Sequence, residues 1–182
     1  MKKSLLIFAA AFMLLPVWGA ASKKALVVYF TWSDAANTEK VAVMIAKATG
    51  ADTERLVPVK AYPRGFKEIL ARGKAEIRGR ENCPIKKPGK DLKKYDTVFV
   101  GTPIWFGTYA PPVKTFLQQN DLKGKKVYLF CTHGRGGAGR FFTDAAKLLP
   151  NAAVSAKGFS CYGDKVGKAA PDIEKWLKEN VK

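Results

Sequence analysis

Short apolar segments alternate with amphipathic segments along this chain, and this alternation constrains the fold more than any other feature. The first apolar segment, residues 25–30, is rich in β-branched and aromatic residues, and apolar residues at helical spacing follow it as far as Gly50. Further strands are predicted at 53–59, 96–102, 126–131 and 153–161, and further helices at 66–80, from Pro111, at 141–148 and at 171–181. This order predicts a doubly wound α/β domain with five parallel strands, right-handed crossovers and helices on both faces.

The first 21 residues have the pattern of a secretory signal peptide. Lys2 and Lys3 precede an apolar run at residues 5–15, and small residues end the segment at Ala21. The run has roughly half of the ~20 apolar residues that span a bilayer, so no stable membrane anchor is expected after cleavage. We therefore predict a signal peptide at 1–21, cleavage near Ala21, and a periplasmic or secreted domain at 22–182.

Charge and residue counts restrict the classes of function. The 182 residues carry a formal charge of +17, and loss of Lys2 and Lys3 with the leader leaves +15. The basic residues are scattered and form no nucleic-acid recognition motif, so we expect no nucleic-acid partner. The single histidine, His133, excludes a metal site built on several histidines, and no metal ligand or catalytic residue is assigned. Of the three cysteines, Cys131 and Cys161 end predicted strands and are expected to be buried.

In a doubly wound sheet, ligands bind outside the carboxyl ends of the strands, so the loops that follow the strands are the candidate site. After the first strand come hydroxyl and amide side chains at the start of a helix, where unpaired N–H groups and a partial positive charge favour phosphate. Ordinary helix capping is the alternative interpretation. The candidates in this loop are Thr31, Trp32, Ser33, Asn37 and Thr38.

The loop after the third strand carries closely spaced aromatic residues between prolines, which suits stacking against a flat ring. Its candidates are Pro103, Ile104, Trp105, Phe106 and Gly107, and the alternative is a hydrophobic plug beneath the loop.

The loop after the fourth strand is rich in glycine, so its backbone N–H groups can turn toward a polar ligand edge while an arginine adds charge. Its candidates are Thr132, His133, Gly134, Arg135, Gly136 and Gly139, and the alternative is a flexible loop.

Three sequence segments resemble the flavodoxin family, and most closely its short-chain branch: VVYFTWS with NTEKVA, YDTVFVGTPIWFGTYAPPVKTFL, and FCTHGRGGAGR. The resemblance extends from Lys24 to the C-terminus and implies the strand order 2-1-3-4-5 and the cofactor FMN. It also implies that Thr31, Ser33, Asn37 and Thr38 hold the FMN phosphate, that Trp105 stacks on the isoalloxazine beside Phe106 and Gly107, and that residues 133–139 line the pyrimidine edge. One departure is the segment Asp34-Ala35-Ala36, where such loops usually place a glycine before the Asn-Thr pair.

The resemblance leaves three functions open. The first is an FMN-binding electron-transfer protein outside the cytoplasm, whose partner is an acidic redox protein or a small-molecule acceptor. The second is a reductase that uses NADH or NADPH to reduce quinones or other aromatic acceptors. The third is an exported binding protein that keeps the fold without FMN. Binding of FMN separates the third from the others, and consumption of NADH or NADPH separates the second from the first.

Overall fold

A parallel β-sheet forms the centre of the molecule in a computed structural model that describes residues 24–181; the predicted signal peptide lies outside these residues. The strand order is β2-β1-β3-β4-β5, and a sixth short strand also pairs with β4. All of these pairings are parallel. The strands are β1 (Ala25–Tyr29), β2 (Asp52–Arg55), β3 (Thr97–Pro103), β4 (Lys126–His133), β5 (Ala153–Val154) and β6 (Phe159–Tyr162). The predicted doubly wound fold and the order 2-1-3-4-5 are confirmed.

Within residues 24–181, five α-helices cover the two faces of the sheet: α1 (Asn37–Thr49), α2 (Phe66–Ile77), α3 (Pro111–Gln119), α4 (Phe141–Lys147) and α5 (Ala170–Asn180). Val27 and Val28 are adjacent in β1 and both fully buried, but they belong to different clusters. Val27 lies in the cluster that includes α1 and α5, and Val28 in the cluster that includes α3 and α4. Successive strand residues point to opposite faces, so a continuous apolar strand supplies both cores. None of the helices in residues 24–181 is long and apolar enough to cross a membrane.

The fifth position of the sheet is divided into two short strands rather than one strand over residues 153–161. Both segments pair with β4: β5 lies beside Lys126 and Val127, and β6 beside residues 130–133. Between them, the Ser155 hydroxyl lies 3.4 Å from the Lys157 amide nitrogen, in a local turn that replaces ladder pairing. Because β6 runs to Tyr162, it brings the following loop to the end of β4.

The second strand is shorter than the predicted segment 53–59. It ends at Arg55, and the chain then pairs antiparallel with a later segment, through a bridge between Pro58 and Ile85. Proline has no N–H to donate to a ladder, which is consistent with the early end of the parallel strand. The side chains of Val57 and Val59 are exposed, so the apolar character of this segment does not reflect a buried strand.

Candidate functional site

A cavity of about 330 Å³ lies at the carboxyl ends of β1, β3 and β4, and we call it the central cavity. It brings together most of the candidates from all three loops: Thr31, Trp32, Ser33, Asn37, Thr38, Pro103, Ile104, Trp105, Thr132, His133, Gly134 and Arg135. The remaining candidates, Phe106, Gly107, Gly136 and Gly139, are not among its lining residues. Polar residues from the first and last loops and an aromatic side chain from the middle loop therefore face one space.

The N-terminus of α1 forms one end of the central cavity. The residue before the helix, Ala36, has φ 47° and ψ 37°, in the left-handed region, and no side chain caps the helix. The Ala36 amide donates to the Ser33 carbonyl at 2.9 Å, which closes a tight turn. A 13-residue helix whose first N–H groups lack a side-chain cap offers donors and a partial positive charge to an anion.

A buried hydrogen bond joins the helix to the sheet beneath this end of the cavity. The hydroxyl oxygens of Thr38 and Thr132 lie 2.7 Å apart, and both residues are almost completely buried. Thr38 is on α1 and Thr132 on β4, so the contact fixes the helix N-terminus relative to the end of that strand. A net hydrogen bond of this kind contributes about 0.5–1.5 kcal/mol.

Aromatic side chains surround Trp105 at the other end of the cavity. Its ring meets the rings of Phe30, Trp32 and Tyr62 at centroid distances of 5.8, 6.2 and 5.0 Å, and all three contacts are edge-on. Such contacts restrain the indole while leaving part of it facing the central cavity.

The tip of the aromatic loop is a tight turn at residues 105–108. Trp105 and Thr108 exchange two backbone hydrogen bonds of 3.0 Å, and Phe106 and Gly107 between them have φ of 49° and 77°. Positive φ at both central positions is typical of a type I′ turn, and it is unusual for a residue as large as phenylalanine. Phe106 is 46% exposed at this tip, so an aromatic side chain is presented to solvent near the cavity.

The glycine-rich loop packs directly against this turn. The Arg140 amide donates to the Gly107 carbonyl at 2.7 Å, and a Cβ on Gly139 would lie 2.2 Å from that same oxygen. Gly139 therefore permits the close approach of the two loops. It does not line the central cavity, where the sequence predicts a ligand contact for it.

The loop after β6 adds Tyr162, Gly163 and Asp164, which lie outside the three predicted loops. The Tyr162 ring lies 6.1 Å from the ring of His133, at 31° between planes. The predicted order already places the fifth strand beside the fourth, so the loop after the fifth strand was a candidate on topology alone.

Asp34 does not line the central cavity. Its side chain is exposed and lines a neighbouring cavity, whereas the central cavity is lined by Ser33 and Asn37 on either side of it in sequence. Ala36 meanwhile adopts the left-handed backbone that favours glycine. The turn thus keeps a glycine-like conformation without the glycine.

A buried polar network supports the aromatic cluster from below. The Tyr62 hydroxyl donates to the Glu76 carboxylate and lies 3.3 Å from the Cys83 sulfur, and Arg72 binds Glu76 at 2.7 Å. Arg72 also lies over the Tyr62 ring, 4.0 Å from its centroid. Burial is the main cause that raises the pKa of both the Tyr62 hydroxyl and the Cys83 thiol, so both stay protonated at neutral pH.

Comparison with known families now identifies the group to which this architecture belongs. The model of the family described as flavodoxin matches residues 24–180. The chain belongs to the flavodoxin family. The match extends over nearly the whole of the described structure and includes every loop of the central cavity.

Solved structures of similar fold include flavodoxin-like proteins from two bacterial genera. A candidate flavoprotein from Bacteroides eggerthii is 26% identical, with a TM-score of 0.73 over 86% of this chain and 96% of that chain. A flavoprotein from Lactobacillus acidophilus, solved in complex with FMN, is 23% identical, with a TM-score of 0.65 over 80% of this chain and 97% of that one. The second likeness is evidence for the fold alone.

Proposed function

We propose that this flavodoxin-family protein binds FMN in the central cavity and transfers electrons outside the cytoplasm. One observation carries the proposal. An uncapped helix N-terminus, an indole ring and a glycine-rich loop with an arginine all meet in one cavity of a flavodoxin fold. Bound FMN would supply electron and hydride chemistry, while the protein determines its access and its electronics.

The α1 end of the cavity fits the phosphate of FMN. The backbone N–H groups at the start of α1 would donate to the phosphate oxygens, and the Ser33 and Asn37 side chains line the same surface. Asp34 is not among the residues that line the central cavity and lines the neighbouring cavity instead. Among the residues that line the central cavity, the one carboxylate is that of Asp164, which is exposed.

The opposite end fits the flavin ring. Trp105 would provide the apolar surface, while the backbone of His133 to Arg135 would face the polar ring edge. Arg135 is exposed on this loop, and its positive charge favours any state of the ligand with added negative charge. We therefore expect Arg135→Ala to make the reduction potential of bound FMN more negative, whereas an unchanged potential would contradict this role.

Titration of the purified apoprotein with FMN tests binding directly. Binding should quench flavin fluorescence and shift its visible spectrum at micromolar FMN. We expect Thr38→Val to weaken binding about tenfold, because loss of the hydrogen bond to Thr132 releases the phosphate end of the site, and about 1.4 kcal/mol corresponds to a factor of ten.

Thr49→Val is the matched control at the opposite end of the same helix. The Thr49 hydroxyl donates to the Ile45 carbonyl at 2.7 Å, far along the chain from the cavity loops, so FMN affinity should stay at the wild-type value. Equal affinities for the two variants would contradict the phosphate assignment. Absence of wild-type binding at micromolar FMN would instead favour an exported protein that has the fold without the cofactor.

The partner and location complete the proposal. Export rests on the leader-like sequence of residues 1–21, and an acidic redox partner rests on the charge of +15 that remains after Lys2 and Lys3 are lost with the leader. Electron transfer to such a partner should slow as salt is raised, because screening removes electrostatic steering. Rates independent of salt would contradict steering, and steady consumption of NADH or NADPH by the FMN-loaded protein alone would favour a reductase.

A further inference from the structure

A second and larger cavity lies beside the central cavity, and nothing in the proposed function uses it. Its volume is about 580 Å³, and it lies between the loop after β1 and the segment that follows β2. We call it the lateral cavity. We propose that it is a second binding site, for a small flat aromatic molecule that carries a negative charge.

The walls of the lateral cavity suit a flat apolar ring. Phe30, Trp32 and Tyr62 line it, together with aliphatic residues that include Leu56 and Pro58. Cavities of this size with aromatic walls and a few polar groups are the usual form of small-molecule sites. Trp32 and Ser33 line both cavities, so the lateral cavity adjoins the central cavity at the loop after β1.

The wall formed by Tyr62 is held in place before any ligand binds. Its hydroxyl is bound to Glu76, its ring lies under Arg72, and the Arg72 guanidinium donates to the carbonyls of Ala61 and Lys60 at 2.7 and 2.9 Å. The backbone and the ring on this side of the cavity are thus held by one network centred on the buried Glu76. A wall supported in this way loses little conformational entropy when a ligand binds.

The charged groups of the lateral cavity favour an anion. Two guanidinium groups, Arg55 and Arg64, line it against one carboxylate, Asp34. Arg55 forms an ion pair with Glu39 at 3.7 Å. Arg64 forms no hydrogen bond or ion pair within residues 24–181. Arg64 is therefore available to a carboxylate or sulfonate, which guanidinium groups bind in a two-point geometry.

A titration followed by ¹⁵N NMR, with 2-naphthoate and its neutral analogue 2-naphthamide, tests the site. Shifts should concentrate on amides around the lateral cavity, and 2-naphthoate should bind more tightly than 2-naphthamide. The same shifts should persist when the protein is saturated with FMN, because most of the lining residues are not shared with the central cavity. The FMN titration itself reports separately on the proposed function.

Two variants and one control separate charge from shape. Arg64→Met should weaken 2-naphthoate about threefold to tenfold and leave 2-naphthamide unchanged, as expected for one exposed charge contact. Ala61→Trp places a bulky ring at the cavity wall and should abolish binding of both probes. Arg80→Met removes an exposed arginine that lines neither cavity and should alter neither affinity.

Three results would overturn the proposal. The first is absence of binding at millimolar probe. The second is equal affinity for the two probes with no effect of Arg64→Met, which would remove the anion preference. The third is a set of shifts confined to the loops of the central cavity and lost on addition of FMN, which would assign binding to the FMN site instead.

Discussion

Replacement of Ala36 by glycine should stabilise the protein, which is the reverse of the usual effect of glycine. Ala36 has φ 47° and ψ 37° immediately before α1, in a conformation that an L-residue adopts at a cost of about 1–2 kcal/mol. Glycine adopts it without this cost, but glycine also loses about 0.4–1 kcal/mol more conformational freedom on folding. The difference between the midpoints of these two ranges predicts that Ala36→Gly raises the free energy of unfolding by about 0.8 kcal/mol.

The neighbouring alanine provides the control. Ala35 lies in the same turn but does not have positive φ, so Ala35→Gly adds flexibility without relief of strain. It should lower the free energy of unfolding by about 0.4–1 kcal/mol. The two variants have the same composition and differ by one position, so their stabilities should move in opposite directions.

Urea denaturation of the apoprotein measures both changes, and thermal unfolding should shift by about 2–4 °C for each kcal/mol in a domain of this size. Ala36→Val should destabilise, because a β-branched residue tolerates positive φ least well. If Ala36→Gly destabilises by as much as Ala35→Gly, the left-handed turn before α1 is not the conformation of the protein in solution, and the reasoning is refuted. A gain in FMN affinity for Ala36→Gly would further connect this turn to the phosphate end of the cavity.

Three other changes test the core and the loops. Burial raises the pKa of the Cys131 thiol from 9.0 to about 11, so this thiol contributes stability that is full below pH 9 and lost as pH rises toward 11. The free energy of unfolding should therefore fall more steeply between about pH 9 and pH 11 in the wild type than in Cys131→Ser, and parallel curves would contradict the shift. Glu76→Ala should destabilise by about 1.5–3 kcal/mol in urea titrations because it removes the carboxylate that accepts from Tyr62 and Arg72, whereas the exposed Glu174→Ala should stay within about 0.5 kcal/mol of wild type. Gly139→Ala places a Cβ 2.2 Å from a carbonyl of the neighbouring loop and should lower both stability and FMN affinity. Gly136→Ala is the control, because a Cβ there would have no atom within 4 Å, and it should change neither quantity. Similar effects of the two variants would refute the loop contact.

The sheet and the central cavity could be predicted because both follow from local patterns combined with topology. Continuous apolar strands such as β1 and β4 specify burial on both faces, and the alternation with helices specifies parallel pairing. The loops after β1, β3 and β4 then lie together at the carboxyl edge of the sheet, and this follows from the topology without knowledge of the side-chain directions. The cavity lining from Thr31 to Arg135 is the result.

Positions that depend on close approach between loops were not predictable in the same way. The sequence predicts Gly107 and Gly139 as ligand contacts, and in the structure they also form a contact between two loops. A glycine in the sequence shows that the backbone can adopt unusual conformations. It does not show which neighbouring segment approaches that backbone closely. The length of β2 was also wrongly predicted because it depends on a distant partner. Val57 and Val59 are apolar and indicated a longer parallel strand, but their backbone pairs with residues 84–86 instead.

The lateral cavity illustrates how a buried polar network can shape a surface site that sequence patterns do not reveal. Glu76 lies on α2, and its only signal in the sequence is a charged residue at a helical position facing the core. Its carboxylate requires donors because an unpaired buried charge is costly, and Arg72 and Tyr62 supply them. Tyr62 is thereby fixed with its ring against Trp105, and Arg72 holds the backbone of Lys60 and Ala61. One requirement of the core, a partner for Glu76, thus positions an aromatic wall that contacts the indole of the central cavity and lines the cavity next to it.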